Sequence, residues 1–338
     1  VKPARALPFR DAGREDRLLS RLRQLAGERR LDPHEIERLF RVILEMSVAR
    51  QRNHVRTRDE TPLRVAYQGV EGSYSHLTAQ RRYAGRSGGV LLIGCETFQE
   101  VATKTESGET DYGLLPIENT TAGSINETYE ILSEGRLKIV GEAISQVVHC
   151  LLGLPGATCE SRRTILSHPQ ALRQCRAALD RIPHASAIAE GDTAGAARKV
   201  RETGDPTVGA IAGEEAARLY GLEILLHGIN TEAQNITRFV EIARESEVCP
   251  AGTPVKSSMI LTLPHRPGAL YETLAVFGAR RINLAKLESR PIPGRAFEYR
   301  FYLDVEGHAA VPPLAPALSE LEAQGTTIVR LGSYPAAV

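Results

Sequence analysis

No apolar run in this chain approaches the roughly 18 residues that a membrane-crossing helix requires. The N-terminal stretch is polar and Arg-rich, without the hydrophobic core of a secretion signal. Neither membrane association nor export is expected, which leaves the cytoplasm. Cysteine is scarce: Cys95, Cys150, Cys159, Cys175 and Cys249 are odd in number and contain no Cys-x-x-Cys pair. That pattern suggests neither a disulfide framework nor a zinc site. The five read as reduced, mostly structural thiols, and no metal is expected. The glycines form neither a dinucleotide fingerprint nor a Walker loop. A strong charge of one sign is also missing, since the net charge is +1. Residues 1–60 are locally basic, with 15 Lys plus Arg against 10 Asp plus Glu. These bases are mixed with acids and leucines and have no aromatic platform beside them, so nucleic acid is not an expected partner.

What is present is an ordinary globular composition, 42% hydrophobic and 25% charged, in 338 residues, enough for two or three domains. Residues 1–60 show two helical patterns and no strand. The first runs from about Arg14 to Glu28 on Leu18, Leu19, Leu22 and Leu25. The second follows Asp32 and Pro33, an N-cap and first-turn pair, and runs to about Arg52. Its inward stripe of Ile36, Phe40 and Ile43 continues onto Ser47 and Gln51, which fits either a solvated helix end or a polar pocket between helices.

From residue 63 the pattern alternates strand and helix, and the turns between them are polar. Leu63–Tyr67 runs into Gly69-Val70-Glu71-Gly72-Ser73. An apolar strand ends in Pro116-Ile117-Glu118-Asn119. Thr164–Leu166 leads into Ser167-His168-Pro169-Gln170, and Ala187–Ala189 leads into Asp192-Thr193. In open α/β sheets such strand ends are where ligands bind. Repeated units of this kind imply two α/β lobes with a cleft between them. The stretch Gln234-Asn235-Ile236-Thr237-Arg238-Phe239-Val240 places polar residues inside an apolar strand; taken alone it reads as an edge strand with a solvated Thr-Arg face. After Glu245 the order becomes βαββαβ, a ferredoxin-like unit.

These motifs, in this order and spacing, resemble prephenate dehydratase over residues 63–245. Gly268-Ala269-Leu270 and Glu288-Ser289-Arg290-Pro291 resemble the two signatures of the amino-acid-binding ACT domain attached to such dehydratases, here residues 255–338. Residues 1–60, with Phe9-Arg10-Asp11, Arg14-Glu15 and Glu45 to Gln51, resemble the last two helices of the chorismate mutase fused to bacterial bifunctional forms. The resemblance therefore implies a multidomain protein. It comprises an all-α mutase remnant, a two-lobed α/β dehydratase domain like a periplasmic binding protein, and an α+β ferredoxin-like ACT domain.

The resemblance also implies the activity, the decarboxylating dehydration of prephenate to phenylpyruvate in phenylalanine biosynthesis, without a cofactor. L-phenylalanine would be the effector, bound between subunits of a homodimer or homotetramer. Thr237 would assist the departing hydroxyl, and Arg238 would clamp a carboxylate or brace the cleft. Glu118 and His168 would be acid-base or orienting groups. Ser73, Asn119, Ser167, Gln170, Thr193 and Asn235 would be polar ligands, with Phe239 packing beside them. In the mutase part, Asp11, Arg14, Glu15, Ser47 and Gln51 match substrate contacts, but the family's first helix has no counterpart, so little or no mutase activity is expected. A working bifunctional enzyme, a non-catalytic amino-acid sensor and a preference for arogenate are the alternatives.

Overall fold

The computed structural model describes residues 12–29, 31–34, 36–37, 40, 62–84, 86, 88–182, 184–249, 253–292, 294–295 and 297–337. At the N-terminus, helix α1 (Ala12–Glu28) turns Leu19 and Ala26 inward while Leu18 and Leu25 stay exposed. Asp32 caps the turn that follows by accepting the His34 amide, and Arg23 of α1 pairs with Glu37 of that second helical stretch. Asp11, Ser47 and Gln51 lie outside the described residues, as do the side chains of Arg14 and Glu15.

The first lobe is built from β1 (Leu63–Gln68), α2 (Tyr74–Arg82), β2 (Val90–Cys95), α3 (Phe98–Ser107), β3 (Tyr112–Asn119), β4 (Gly123–Ser124), α4 (Asn126–Ser133) and β5 (Lys138–Gln146). The chain then crosses to a second lobe of β6 (Cys150–Gly153), β7 (Thr164–Ser167), α5 (Pro169–Gln174), α6 (Arg176–Leu179), β8 (Ser186–Ala189), α7 (Thr193–Thr203), β9 (Val208–Ala212), α8 (Glu214–Tyr220) and β10 (Glu223–Leu226). It returns as β11 (Ile236–Ala243).

The sheet orders are β2-β1-β3-β11-β5, with β4 on β3, and β10-β6-β9-β7-β8. Strand β11 is therefore interior, antiparallel to β3 on one side and β5 on the other. This corrects the edge-strand reading: Thr237 and Arg238 are bonded to other side chains rather than facing solvent. The turn from β1 into α2 needs glycine at two positions, because Gly69 (φ 103°) and Gly72 (φ 87°) pass through left-handed conformations. Tyr220 of the second lobe donates to the Glu71 carbonyl in that turn, closing the lobes on each other.

A third sheet follows, from β12 (Val255–Thr262), α9 (Ala269–Ala279), β13 (Leu284–Pro291), β14 (Tyr299–Glu306), α10 (Leu314–Ala323) and β15 (Thr327–Pro335), in the order β13-β14-β12-β15. Strand alternation splits its side chains between two cores. Met259, Leu261, Leu303 and Val305 pack under α9 and α10. Ile260, Tyr302, Leu331 and Tyr334 enter the first-lobe core beside Ile139, Val240 and Ile242. At about 2 kcal/mol for each buried large apolar side chain, this second face holds the ferredoxin-like unit against the first lobe. The approach is closest at Gly332, where a Cβ would fall 2.0 Å from the Ile139 carbonyl oxygen.

Among the described residues no helix is long and apolar enough to cross a membrane, and no cluster of three or more His, Cys, Asp or Glu could hold a metal ion.

Candidate functional site

The register of β3 with β11 sets Thr237 opposite Asn119, so their side chains share one face of the sheet. Asn119 closes β3 with an Asx-type turn, its Oδ1 accepting the backbone amides of Thr121 (3.0 Å) and Ala122 (2.9 Å). Those two amides fix which way the side chain points. Its Nδ2 then donates to Thr237 Oγ1 (2.9 Å) and Asn235 Oδ1 (2.7 Å). Because Thr237 receives a hydrogen bond from Asn119, its own hydroxyl hydrogen is left for another acceptor. Asn235 is 1% exposed, and its Nδ2 has no hydrogen-bond partner. An unsatisfied buried donor costs about 1–3 kcal/mol, and a ligand oxygen would relieve it.

A second layer of polar groups holds Asn119. Gln174, at the end of α5, donates through Nε2 to Asn119 Oδ1 (3.2 Å) and to Thr121 Oγ1. Its Oε1 lies 3.0 Å from His149 Nε2. His149 sits where the chain crosses between lobes and is 2% exposed; burial lowers its pKa, the bond to Gln174 only partly opposing this. The ring is therefore neutral near pH 7 and its Nε2–H donates to Gln174. Tyr74 of α2 approaches the other ring nitrogen at 3.2 Å while donating to the Val148 carbonyl. Gln174, Thr121, His149 and Tyr74 were not singled out from the sequence. Gln174 was within reach, because it stands one helical turn after Gln170.

The remaining expected residues divide by position. Ser73 caps α2, accepting the His76 amide, and His168 caps α5, accepting the Gln170 amide. Burial lowers the His168 pKa. Thr193 opens α7 beside its cap Asp192. Ser167 is fully buried and donates to the Ile211 carbonyl. Phe239 packs against Ala79 and Leu114. Asn235, Gln170, Gln174 and Thr121 line one cavity of about 630 Å³.

Glu118 and Arg238 are not in this group. Each follows or precedes a cleft residue by one position, so each projects from the opposite face. Arg238 bonds Glu142 (3.1 Å), Asp304 of β14 (2.6 Å) and Glu118 (3.3 Å). Burial alone would lower its pKa, but Asp304 and Glu142 outweigh that and keep the guanidinium charged. Glu118 also pairs with Lys286 of β13 (3.2 Å). Arg238 thus points away from the Asn119–Thr237 face, into three carboxylates.

In the third sheet, Gly268 (φ 81°) is the N-cap of α9, with Ala269 and Leu270 in its first turn. Glu288 bonds Ser124 of β4, Lys286 and Arg290. Glu288 and Arg290 face the first lobe, while Ser289 and Pro291 alternate to the exposed side.

Comparison with known proteins adds the family. The model for prephenate dehydratase matches residues 65–247. The chain belongs to the prephenate dehydratase family. In this dehydratase, the chorismate mutase type II model also matches residues 1–52 and the ACT domain model residues 257–323. The bifunctional chorismate mutase/prephenate dehydratase of Escherichia coli strain K12 is 37% identical over 333 residues, 97% of this chain and 86% of that protein. The structure of prephenate dehydratase from Arthrobacter aurescens in complex with L-Phe superposes with a TM-score of 0.72 at 29% identity, covering 82% of this chain and 93% of that one. The structure of GqqA, described as a novel type of quorum-quenching acylase, has the same TM-score at 36% identity, covering 81% of this chain and 98% of that one.

Proposed function

We propose that this prephenate dehydratase expels hydroxide and carbon dioxide from prephenate in the cleft between its two lobes, with Thr237 donating to the leaving oxygen. Prephenate is a cyclohexadiene with a ring carboxylate, a pyruvyl carboxylate and a 4-hydroxyl. As the bond to the ring carboxylate breaks, its electron pair enters the ring and the C4–O bond breaks. Carbon dioxide departs, the hydroxide takes up a proton as water, and phenylpyruvate remains. Aromatisation drives the reaction, so the enzyme's task is to orient the dianion and stabilise charge on the departing oxygen.

The observation that carries this reading is the Asn119 amide on Thr237 Oγ1, which frees the threonine hydrogen for the substrate. A threonine hydroxyl is a very weak acid, so Thr237 acts as a hydrogen-bond donor and the proton is drawn from solvent or a relay. His149, Gln174 and Asn119 hold that donor in place. Glu118 and Arg238 brace the wall from behind, and Ser73, His168 and Thr193 shape the cleft rim. Removing a donor of this type costs roughly 10²–10³ in kcat. Incubation with prephenate should therefore yield phenylpyruvate, and Thr237→Val should lower kcat by about 100-fold or more with folding intact, while Thr237→Ser keeps most of the rate. An intact, folded protein that makes no phenylpyruvate would leave the amino-acid sensor as the better reading.

Residues 63–245 form the catalytic domain in this reading and residues 255–338 the ACT domain, which takes L-phenylalanine at Gly268–Leu270 and Glu288–Pro291 between copies of a cytoplasmic homodimer or homotetramer. Exposed Tyr271 (77%) and Leu287 (42%) beside these motifs support an assembly surface there. Chorismate and arogenate, assayed separately from prephenate, test the mutase remnant over residues 1–60 and the substrate preference.

A further inference from the structure

A substrate with two carboxylates calls for a cation, and the arginine beside Thr237 does not supply one. Arg238 projects from the far face of β11 into three carboxylates. The cavity of about 630 Å³ on the cleft side is lined by two other arginines, Arg173 and Arg176, and by two carboxylates, Asp180 and Glu232. Arg176 is taken up by Asp180, Nε to Oδ1 at 2.7 Å. Arg173 instead bonds the neutral Oε1 of Gln170, and no carboxylate among the described residues pairs with it. The same cavity is lined by Asn235, whose buried Nδ2 has no acceptor.

We infer that Arg173 and Asn235 Nδ2 together receive the pyruvyl carboxylate of the substrate. The inference rests on the dehydratase reading of the cleft. A guanidinium and an orphan amide donor around one cavity suit a carboxylate, because both offer N–H groups and neither brings a competing negative charge. The choice between the two carboxylates follows from the chemistry. The ring carboxylate must lose its negative charge as carbon dioxide, so a cation there would stabilise the ground state more than the transition state. The pyruvyl carboxylate keeps its charge throughout and can be held tightly without slowing the reaction. Arg173 belongs to the second lobe and Asn235 to the crossing into the first, so one carboxylate would tie both sides of the cleft.

The test is KM and directly measured Kd for prephenate in the parent, Arg173→Gln, Arg173→Lys and Arg176→Gln, at low and high salt, with melting temperatures as a check on folding. Arg173→Gln should raise both constants about tenfold, the lower end for a charge-assisted bond because the side chain is exposed. Arg173→Lys should recover part of the affinity. Arg176→Gln should stay within about twofold of the parent, since its charge is already paired. The parent's KM should rise with salt more steeply than that of Arg173→Gln. Constants for Arg173→Gln equal to the parent's, or a larger effect from Arg176→Gln, would overturn the assignment alone. A parent that neither binds nor turns over prephenate would overturn the dehydratase reading, and the assignment with it.

Discussion

Replacing Arg238 with methionine separates bracing from catalysis. The guanidinium is 13% exposed and meets Glu142 (1%), Asp304 (8%) and Glu118 (40%). Methionine keeps much of the stem volume and removes the charge. Glu142 would retain Lys256 at 2.7 Å and the Ala337 amide at 2.9 Å, and Glu118 would retain Lys286. Asp304 would be left with only the Ser258 hydroxyl among these contacts, so the deficit concentrates there. Breaking a buried ion pair costs about 3–5 kcal/mol, and the surviving partners of Glu142 and Glu118 place this case near 3 kcal/mol. Urea unfolding should show that loss, and adding Asp304→Leu should return part of it by removing the stranded charge. At temperatures where the variant is folded, KM for prephenate should change little, because Arg238 faces away from the cleft. A rise in KM of tenfold or more with unchanged stability would refute the reasoning and make Arg238 a substrate clamp.

Other perturbations probe the seam and the crossing. Gly332→Ala puts a Cβ 2.0 Å from the Ile139 carbonyl, so β15 must move off β5; a loss of about 1–3 kcal/mol is expected, and an unchanged melting temperature would show that the seam yields freely. His149 has its pKa lowered from 6.5 by burial, so the neutral ring's contribution to stability is present above pH 6.5 and lost as pH falls through its folded value. The parent should weaken along that acid limb and His149→Gln less so; parallel stability curves for the two would exclude His149 as the titrating group.

The ferredoxin-like unit was legible because its strands alternate and glycine or proline marks every turn except the one after α9, where Arg281 itself takes a φ of 54°. The two-lobed organisation was legible from repeated strand-to-helix turns, whereas β4 and β10, two and four residues long, are too short to show a period. Strand β11 misled because Thr and Arg in an apolar run look solvated. Here both are bonded inside the protein, Thr237 accepting from Asn119 and Arg238 pairing with residues up to Asp304. Period two already implied that Thr237 and Arg238, or Glu118 and Asn119, could not share a face. Gln174 and His149 escaped for a different reason: the contact of Gln174 with Asn119, and of His149 with Gln174, arises from chain crossing between lobes, which no local pattern encodes.

That division of β11 bears on how an effector would act. Asn235, Thr237 and Phe239 face the cleft side, while Arg238, Val240 and Ile242 face the third sheet, so the proposed reaction site and the ACT unit lie back to back on one strand. A second link runs from Glu288, in the ACT signature, to Ser124; β4 pairs Ser124 with Glu118 and Gly123 with Asn119. A shift of β13 is thus delivered to the turn that orients the Asn119 amide, and through it to Thr237. Glu288, Ser124 and Glu118 are not among the residues lining the cavity, and the relay ends on the donor Thr237, so phenylalanine should lower kcat more than it raises KM. Glu288→Ala should spare basal turnover and weaken inhibition by cutting the link at Ser124. Inhibition that is purely competitive with prephenate, or an inhibition curve in Glu288→Ala identical to the parent's, would place the coupling elsewhere.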